Sequence, residues 1–411
     1  MLSQRLLART LGVDAKSVRV EQIELRDEIV EIRLRPRIQH RWRCPRCQDR
    51  CPGYDSGRER RWRALDWGRT KVFVIATVPR VKCDEHGVIV ASVPFARHGA
   101  RHTKAFEELA AWCAVEMSAS AASRLLRCTW RTVGAIVTRV VADLDEEELF
   151  GDLRRIGVDE ISYRKHHRYL LVVVDHDRRR LVHATDGANA RTLNAFFDRL
   201  GEQRTAAITH VSADGAPWIS RTVASRCANA TLCADPFHIV KWATMALDEV
   251  RREIWNRVRV RRRGARAAVG EGKVVKNARW ALWKNPENLN EQEQASLAFI
   301  AATHPRLHRA WALKEGLRVA LAEGDVAGLD RWIAWAQRSR ILSFVELARR
   351  VRGFYGAIVA TMREGLSNAL VESVNTKIRL IARRAFGFHN VNALIALARL
   401  SLSGQRPVLP I

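Results

Sequence analysis

Short apolar runs separated by polar turns fill the centre of the chain, a pattern typical of strands in a mixed α/β domain. The segments IGVDEI, RYLLVVVD, RRLVHATDG, ITHVSADG and ATLCADPFH predict five strands within residues 156–238. Asn189 opens an amphipathic helix before the fourth strand, and Pro217 lies in the first turn of a helix before the fifth. Three strands in a meander followed by two helical crossovers predict a mixed sheet with helices on its faces.

Helical periodicity precedes this region, with apolar residues at spacings of three and four from Thr103 to Leu144. Ser118 to Ser120 can end one helix and cap the next, and Thr129 can cap a third. A short helix, a turn and a second helix form a helix-turn-helix pattern with Thr129–Arg139 as the recognition helix, although an ordinary helical hairpin fits the spacing equally well. The residues of this helix that we expect to be exposed and to reach bases or phosphates are Arg131, Thr132 and Arg139.

Helical periodicity returns from about Ile239 to Leu366. Within this region the run from Arg257 to Trp280 predicts a solvated basic loop between helices. With a polyanion as partner, this loop becomes a segment that contacts phosphates. Its expected phosphate contacts are Arg261, Arg262 and Arg263.

A last polar-faced helix is predicted after Ser367 or Asn368, either of which can cap it. Its polar positions recur at spacings of three and four, so they share one face. These positions are Asn368, Glu372, Asn375 and Arg379. A face that combines a carboxylate, amides and cations suits a helix laid against a phosphate and a metal ion. The expected DNA contacts of this helix are Asn375, Lys377 and Arg379.

The composition narrows the class of partner. The 411 residues suffice for two or three domains, and 47% hydrophobic with 28% charged residues is typical of a globular protein. A net charge of +26 repels itself unless a polyanion balances it, and nucleic acid is the first candidate. No apolar segment reaches about 18 residues and no signal peptide is visible, so we expect a cytoplasmic protein without a membrane partner.

Two short ligand pairs in the first quarter of the chain, C-x-x-C and C-x-x-H, have the spacing of a tetrahedral zinc site. They are Cys44 with Cys47 and Cys83 with His86. The residues between the pairs read mainly as strands, which predicts a small zinc-binding β domain. Chance spacing is the alternative, and Cys51 is a further contender for a ligand position. The other cysteines fall in apolar patterns and are expected in the core: Cys113, Cys128, Cys227 and Cys233.

Two aspartates fall where catalytic carboxylates can meet. Asp159 lies in the first predicted strand, and Asp214 closes the fourth. If these strands are neighbours, the two carboxylates repel each other unless a cation lies between them, and oxygen ligands suit Mg²⁺. Two such ions, roughly 4 Å apart, can support phosphodiester cleavage. The alternative is that Asp214 is only a turn and cap residue.

A second acidic position lies where the fifth strand passes into a helix. Asp235 and His238 are three residues apart there, with Pro236 at the first helical position. The pair could be a metal site, a catalytic pair or a simple helix cap.

These motifs, in this order, resemble the DDE-type transposases of insertion sequences, in particular the ISL-three family. The matching segments are CPRC…CDEH, the helix-turn-helix, GVDE, SADGAP, ADPFHIVK and SNALVESVNTKIRLIARRAFGFHN. The resemblance implies that Asp159, Asp214 and Glu372 are the catalytic triad. It also implies an auxiliary D-x-x-H element, matched by Asp235 and His238, for which we expect a role beside the catalytic ligands. His86 stands where relatives commonly carry a cysteine, and it is an equally good zinc ligand.

The fold class implied by the resemblance is an α/β RNase-H-like core with a large all-α insertion, preceded by a small zinc-binding β domain and a helix-turn-helix domain. The corresponding domains are 1–100 with the zinc motif, 101–148 with the helix-turn-helix, 149–245 as the first part of the core, 246–360 as the helical insertion and 361–411 as the C-terminal helices of the core with the last acid.

The implied activity is transposition. Two Mg²⁺ or Mn²⁺ ions held by the triad would support water attack at the element end, and the freed 3′-OH would then attack target DNA. Structural Zn²⁺ is expected in the N-terminal domain. The expected partner is double-stranded DNA, comprising terminal inverted repeats and target DNA, bound by a homodimer or higher oligomer near the bacterial nucleoid. The rival functions are a catalytically silent DNA-binding regulator and a structure-specific nuclease on the same core.

Overall fold

A computed structural model describes residues 4–164, 168–264, 271–388, 390–407 and 409, without the side chains of residues 259–264 and 271–272. The chain divides into two compact units. The first unit comprises Met1–Glu146 and Lys377–Ile411, and the second comprises Glu147–Thr376. The C-terminal segment 361–411, predicted as part of the core, is therefore divided between the two units.

The first unit opens with a short helix followed by strands. These elements are α1 (Gln4–Thr10), β1 (Val18–Arg26), β2 (Ile29–Pro36), β3 (Arg58–Arg63), β4 (Lys71–Val78), β5 (Arg80–Cys83) and β6 (Gly87–Val90). The first four strands form a sheet in the order β1-β2-β4-β3, and β5 pairs with β6 as a hairpin. Alternate residues of β2 and β4 are buried, among them Ile32, Val72 and Val74, so one face of this sheet supplies the core of the β domain.

Helices α2 (Lys104–Glu116), α3 (Ala119–Leu125) and α4 (Trp130–Ala142) follow. Each begins at a hydroxyl cap, because the side chains of Thr103, Ser118 and Thr129 accept the backbone N–H three residues further on. The predicted breaks at Ser118 and Thr129 are thus confirmed. α4 packs against both preceding helices through its buried aliphatic side chains.

α5 (Glu146–Phe150) leads into the α/β part of the second unit. The elements there are β7 (Arg155–Arg164), β8 (Arg168–Asp175), β9 (Arg180–Asp186), α6 (Ala190–Leu200), α7 (Glu202–Ala206), β10 (His210–Ala213), α8 (Pro217–Arg226) and β11 (Thr231–Ala234). The five strands form one sheet in the order β11-β10-β7-β8-β9. β7, β8 and β9 are antiparallel neighbours, whereas β10 and β11 are parallel to β7. The predicted meander with two crossovers is confirmed.

The two faces of this five-stranded sheet differ, because one packs against apolar helices and the other carries polar side chains. Ile156, Val158, Val211 and Ala213 point to a face that α6 and α8 cover with a shared apolar core. Because side chains alternate along a strand, the intervening Gly157, Asp159 and Ser212 point to the opposite face. The strand pattern therefore directs one predicted catalytic acid away from the apolar core.

The rest of the second unit is helical. The helices are α9 (Pro236–Gly264), α10 (Glu271–Asn277), α11 (Arg279–Trp283), α12 (Glu291–Thr303), α13 (Pro305–Glu323), α14 (Val326–Arg338), α15 (Leu342–Gly353), α16 (Tyr355–Glu364) and α17 (Ala369–Arg384). α9 to α16 enclose a large apolar core of their own. The helix α18 (Val391–Leu402) belongs to the first unit, where it packs on α4 and α2. No helix among the described residues is long and apolar enough to cross a membrane.

The predicted basic loop from Arg257 to Trp280 is wrong for most of its length. α9 continues to Gly264, α10 covers residues 271–277 and α11 begins at Arg279. The physical reason is apolar periodicity beneath the cations, since Val258 packs against the helical core and Val275 is buried in it. The side chains of Arg261, Arg262 and Arg263 lie outside the described residues.

A buried carboxylate joins α2 to α4. Glu107 is fully buried and accepts from Arg139 Nε at 2.8 Å and from Arg97 Nη1 at 3.4 Å. Arg139 is consequently 29% exposed rather than on the surface, and the expectation that it is free to contact DNA is corrected. Its guanidinium neutralises a charge inside the helix-turn-helix, where an isolated carboxylate would be costly.

We expect the substitution Arg139→Ala to destabilise the protein by about 2 kcal/mol, because it removes the shorter of the two charged hydrogen bonds to the buried Glu107 and leaves only the one from Arg97. Urea unfolding measures the change. The matched control is Glu108→Gln, which removes a partly exposed carboxylate that faces Arg97 at 3.6 Å and should cost little. Equal stability of the Arg139→Ala variant and the wild type would contradict a structural role.

Candidate active site

Asp159 and Asp214 come together because their strands are parallel neighbours. β7 and β10 pair in a register that sets Val158 opposite Ala213, and each aspartate is the next residue in its chain. Asp214 Oδ1 accepts the N–H of Ala216 at 3.1 Å. Asp214 therefore acts as a turn residue with one oxygen, and this leaves its second oxygen for another partner.

The carboxylate of Asp159 is buried and held at both oxygens. Oδ1 accepts the backbone N–H of Glu160, and Oδ2 accepts Nδ2 of Asn375, each at 2.8 Å. Burial, with a further contribution from the Asp214 carboxylate, raises the pKa of Asp159 to about 7. Two adjacent carboxylates in a poorly solvated place are a donor set that a hard divalent cation fits.

A second group of ligands lies at the end of β11. Asp235 is buried there, and His238 Nδ1 donates to its Oδ2 at 2.8 Å. The ligand atoms of Asp235, His238 and the exposed Glu372 all lie within 4.8 Å of one another. The hydrogen bond to Asp235 raises the pKa of His238, and the carboxylates of Asp214 and Asp159 act in the same direction. Asp159 and Asp214 thus lie near enough to His238 to act on its charge, although among the described residues the group within 4.8 Å comprises only Asp235, His238 and Glu372.

Glu372 reaches the cluster because α17 lies close against the sheet. A Cβ on Gly157 would approach Val371 Cγ2 to 2.4 Å, so the glycine allows the helix to sit on β7. One turn beyond Val371, the Nδ2 of Asn375 donates to Asp159. The structure thus ties the helix that carries the last acid to the strand that carries the first.

A polar chain secures the start of α17. Ser212 Oγ donates to Asn368 Oδ1 at 2.6 Å, and His176 Nε2 lies 2.9 Å from the same hydroxyl. Because the Ser212 proton is directed to Asn368, His176 donates from Nε2. Burial lowers the pKa of His176 to about 4, so this imidazole is neutral near pH 7.

The residues predicted to contact DNA fall in different environments. Asn375 is 2% exposed and bound to Asp159, so the expectation that it touches DNA is corrected. Thr132 is half-buried, with its hydroxyl 2.9 Å from that of Thr129, rather than exposed as expected. Arg131, Lys377 and Arg379 are exposed.

Sequence reasoning missed the roles of His176 and Ser212, which form no recognisable motif. For Asn375 a signal was present, because Val371, Val374 and Ile378 surround it with the spacing of a buried helix face. That apolar pattern indicated that the amide points inward.

The predicted zinc ligands also come together. Sγ of Cys47 and Sγ of Cys83 are 3.7 Å apart, and Nδ1 of His86 lies 3.6 Å from both Cys44 Sγ and Cys83 Sγ. A zinc tetrahedron with its usual bond lengths has edges of about 3.8 Å between sulfurs and about 3.6 Å between sulfur and nitrogen. The side chains present therefore fit Zn²⁺. Cys51 is buried nearby but is not one of the four grouped ligands.

The remaining cysteines follow the prediction with one exception. Cys113, Cys227 and Cys233 are buried, whereas Cys128 is half-buried in the helix-turn-helix.

Known transposases are similar to the chain in each of these regions. The ISL3 family model described as a transposase matches residues 156–398. A helix-turn-helix domain of transposase family ISL3 matches residues 91–141, and a zinc-finger of transposase IS204/IS1001/IS1096/IS1165 matches residues 40–86. The transposase for insertion sequence element IS1557 of Mycobacterium tuberculosis is 51% identical over 436 residues, which cover 100% of this chain and 98% of that protein. The transposase for insertion sequence element IS1001 of Bordetella parapertussis is 26% identical over 415 residues, which cover 98% and 100% respectively.

We expect Cys47→Ser to abolish stoichiometric zinc binding and to lower the unfolding temperature of the zinc-binding β domain, because metal binding contributes to its folding free energy. Metal analysis of the purified protein and thermal unfolding measure both effects. Cys51→Ser is the matched control and should retain zinc. Loss of zinc from the Cys51→Ser variant instead would show that the ligand set is wrong.

We expect Asn375→Leu to weaken divalent-cation binding about 10- to 100-fold, because Asp159 loses the donor that orients its Oδ2. Electron paramagnetic resonance of bound Mn²⁺ measures the affinity directly. Ser373→Ala changes an exposed position of the same helix and should leave it unaltered. Wild-type Mn²⁺ affinity in the Asn375→Leu variant would argue against the orienting role.

Proposed function

The chain belongs to the ISL3 family of insertion-sequence transposases, and on that premise we propose that it excises an insertion sequence and joins it to target DNA. The chemistry is metal-dependent phosphodiester hydrolysis followed by transesterification. The observation that carries the proposal is the convergence of Asp159 and Asp214 at parallel strand ends with the group of Asp235, His238 and Glu372. The strand order and the helix-borne acid also support an RNase-H-like core.

Asp159, Asp214 and Glu372 would hold Mg²⁺ or Mn²⁺, since carboxylate oxygens are the ligands that these cations prefer. When bound, such ions supply an activated water and stabilise the leaving oxygen. Asn375 holds Oδ2 of Asp159 and the backbone N–H of Glu160 holds Oδ1, so the orientation of this carboxylate is fixed. Asp214 is fixed by its bond to Ala216. The residues would thus present a preformed set of oxygens to the divalent cations, which offset the negative charge of the scissile phosphate.

Asp235 and His238 act beside the triad. The bond from Nδ1 to Asp235 orients the imidazole and leaves Nε2 for an oxygen of the scissile phosphate. A protonated His238 would place positive charge against the phosphate as negative charge develops during the reaction. This role explains why an acid and a histidine stand where the fifth strand passes into α9.

Recognition of the element ends falls to the first unit. The helix-turn-helix presents Arg131, and the zinc-binding domain with Zn²⁺ on Cys44, Cys47, Cys83 and His86 would complete the contact with terminal inverted repeats. Lys377 and Arg379 would contact phosphates. Binding should weaken steeply with salt, because neutralised phosphates release counterions. Pairing two element ends requires a dimer or higher oligomer.

We expect Asp159→Asn, Asp214→Asn and Glu372→Gln each to reduce excision from a donor plasmid by at least 100-fold, because each removes a charged metal ligand. Asp235→Ala and His238→Ala should impair excision less. The assay is recovery of the resealed donor plasmid in cells.

The control for these variants is Asp198→Asn, which removes an exposed carboxylate of the same unit that pairs with Arg226. It should excise normally. Wild-type excision by any triad variant would refute the assignment. Cleavage without joining in a strand-transfer assay would favour the nuclease, and binding without cleavage would favour the silent regulator.

A further inference from the structure

An aromatic side chain projects into solvent at the edge of the acidic cluster. Phe237 follows Asp235 and Pro236 at the start of α9, and it is 63% exposed. Its ring centroid lies 5.8 Å from that of His238, with the rings nearly perpendicular. The phenyl group therefore stands beside the imidazole that bonds to Asp235, and its outer face is open.

Phe237 is the first of three exposed side chains in a row along α9. We call this row, which comprises Phe237, Lys241 and Met245, the Phe237 stripe. The spacing of four residues puts the three side chains in a row along the helix. Lys241 is exposed, and Met245 is 61% exposed. The stripe alternates apolar, cationic and apolar groups, beginning at the proposed site of catalysis.

The alternation of apolar and cationic groups in the Phe237 stripe fits a DNA strand better than an apolar protein surface. An apolar protein surface would have to desolvate the ammonium group of Lys241 between two apolar contacts, at a cost without a paired charge. A DNA strand offers an apolar base face and an anionic phosphate in alternation, which is the complement of the stripe. The net charge of +26 favours the same polyanion.

We propose that Phe237 stacks on a nucleobase next to the scissile phosphate, while Lys241 contacts a phosphate one helical turn further along α9. This inference rests on the proposed function and adds a binding residue to it. Bases within a duplex already stack on their neighbours, so the base that meets Phe237 is turned out of the helix or lies in an unpaired strand. The enzyme would then hold the cut strand through a base face as well as through its phosphates.

The test uses the full-length protein and a short forked DNA duplex with 2-aminopurine in its unpaired arm, in Ca²⁺ to prevent cleavage. Stacking of the wild-type protein on the probe should quench its fluorescence. We expect Phe237→Ala to lose most of the quench and to weaken forked-DNA binding about tenfold. Binding to a fully paired duplex should change little. Phe237→Tyr should restore the quench, because a phenol ring stacks as a phenyl ring does.

Phe299→Ala is the matched control, since Phe299 is a phenylalanine that is 37% exposed on α12, a helix that packs on α11 and α13. An unaltered quench in the Phe237→Ala variant overturns the inference. A change in oligomeric mass by light scattering, with the quench retained, shows that the stripe is a protein interface and also overturns it. If Asp214→Asn abolishes excision while Phe237→Ala retains the quench, the inference fails and the proposed function stands.

Discussion

The hydrogen bond from Asn375 Nδ2 to Asp159 Oδ2 is the interaction on which the site depends. It spans 216 positions of sequence and joins the last acid-bearing helix to the first strand of the sheet. Without it, the helix that carries Glu372 would be held to the sheet only by apolar contact and by the bond from Ser212 to Asn368 at its start. Val371 against Gly157 sets how close the helix lies, and the amide sets its rotation and fixes one oxygen of the buried carboxylate.

This arrangement uses polar groups where apolar packing would give more stability. Within the described residues, Nδ2 of Asn368 and Oδ1 of Asn375 are buried without a hydrogen-bond partner. Each such atom costs about 1–3 kcal/mol. The large apolar cores of α6 with α8, and of α9 to α16, offset that cost elsewhere in the same unit. The buried polar groups therefore fix the geometry of the site, and the apolar cores elsewhere in the second unit supply the stability.

The first unit comprises a small β domain and a short helical bundle, and both contain many cationic side chains. The proposed zinc ligands tie the segment around Cys44 to the hairpin at Cys83, beside an apolar cluster that includes Val81, Ala91 and Phe95. In the bundle, the buried Glu107 engages Arg97 and Arg139, so some of the arginines are structural rather than surface groups. A count of cations consequently overestimates the DNA-facing charge of this unit.

The sequence alone determined the local elements and the identity of the candidate ligands. Period-2 and period-3.6 patterns depend on nearest neighbours along the chain, so the five central strands, the caps at Ser118 and Thr129 and the C-x-x-C and C-x-x-H pairs were predictable. The tertiary structure alone decided which partners the inward polar side chains meet. The apolar residues around Asn375 and between Arg257 and Trp280 already indicate a buried helix face, but nothing local identifies Asp159 as the partner of Asn375 or Glu107 as the partner of Arg139. These partners lie far away in sequence and are brought together only when the strands and helices pack.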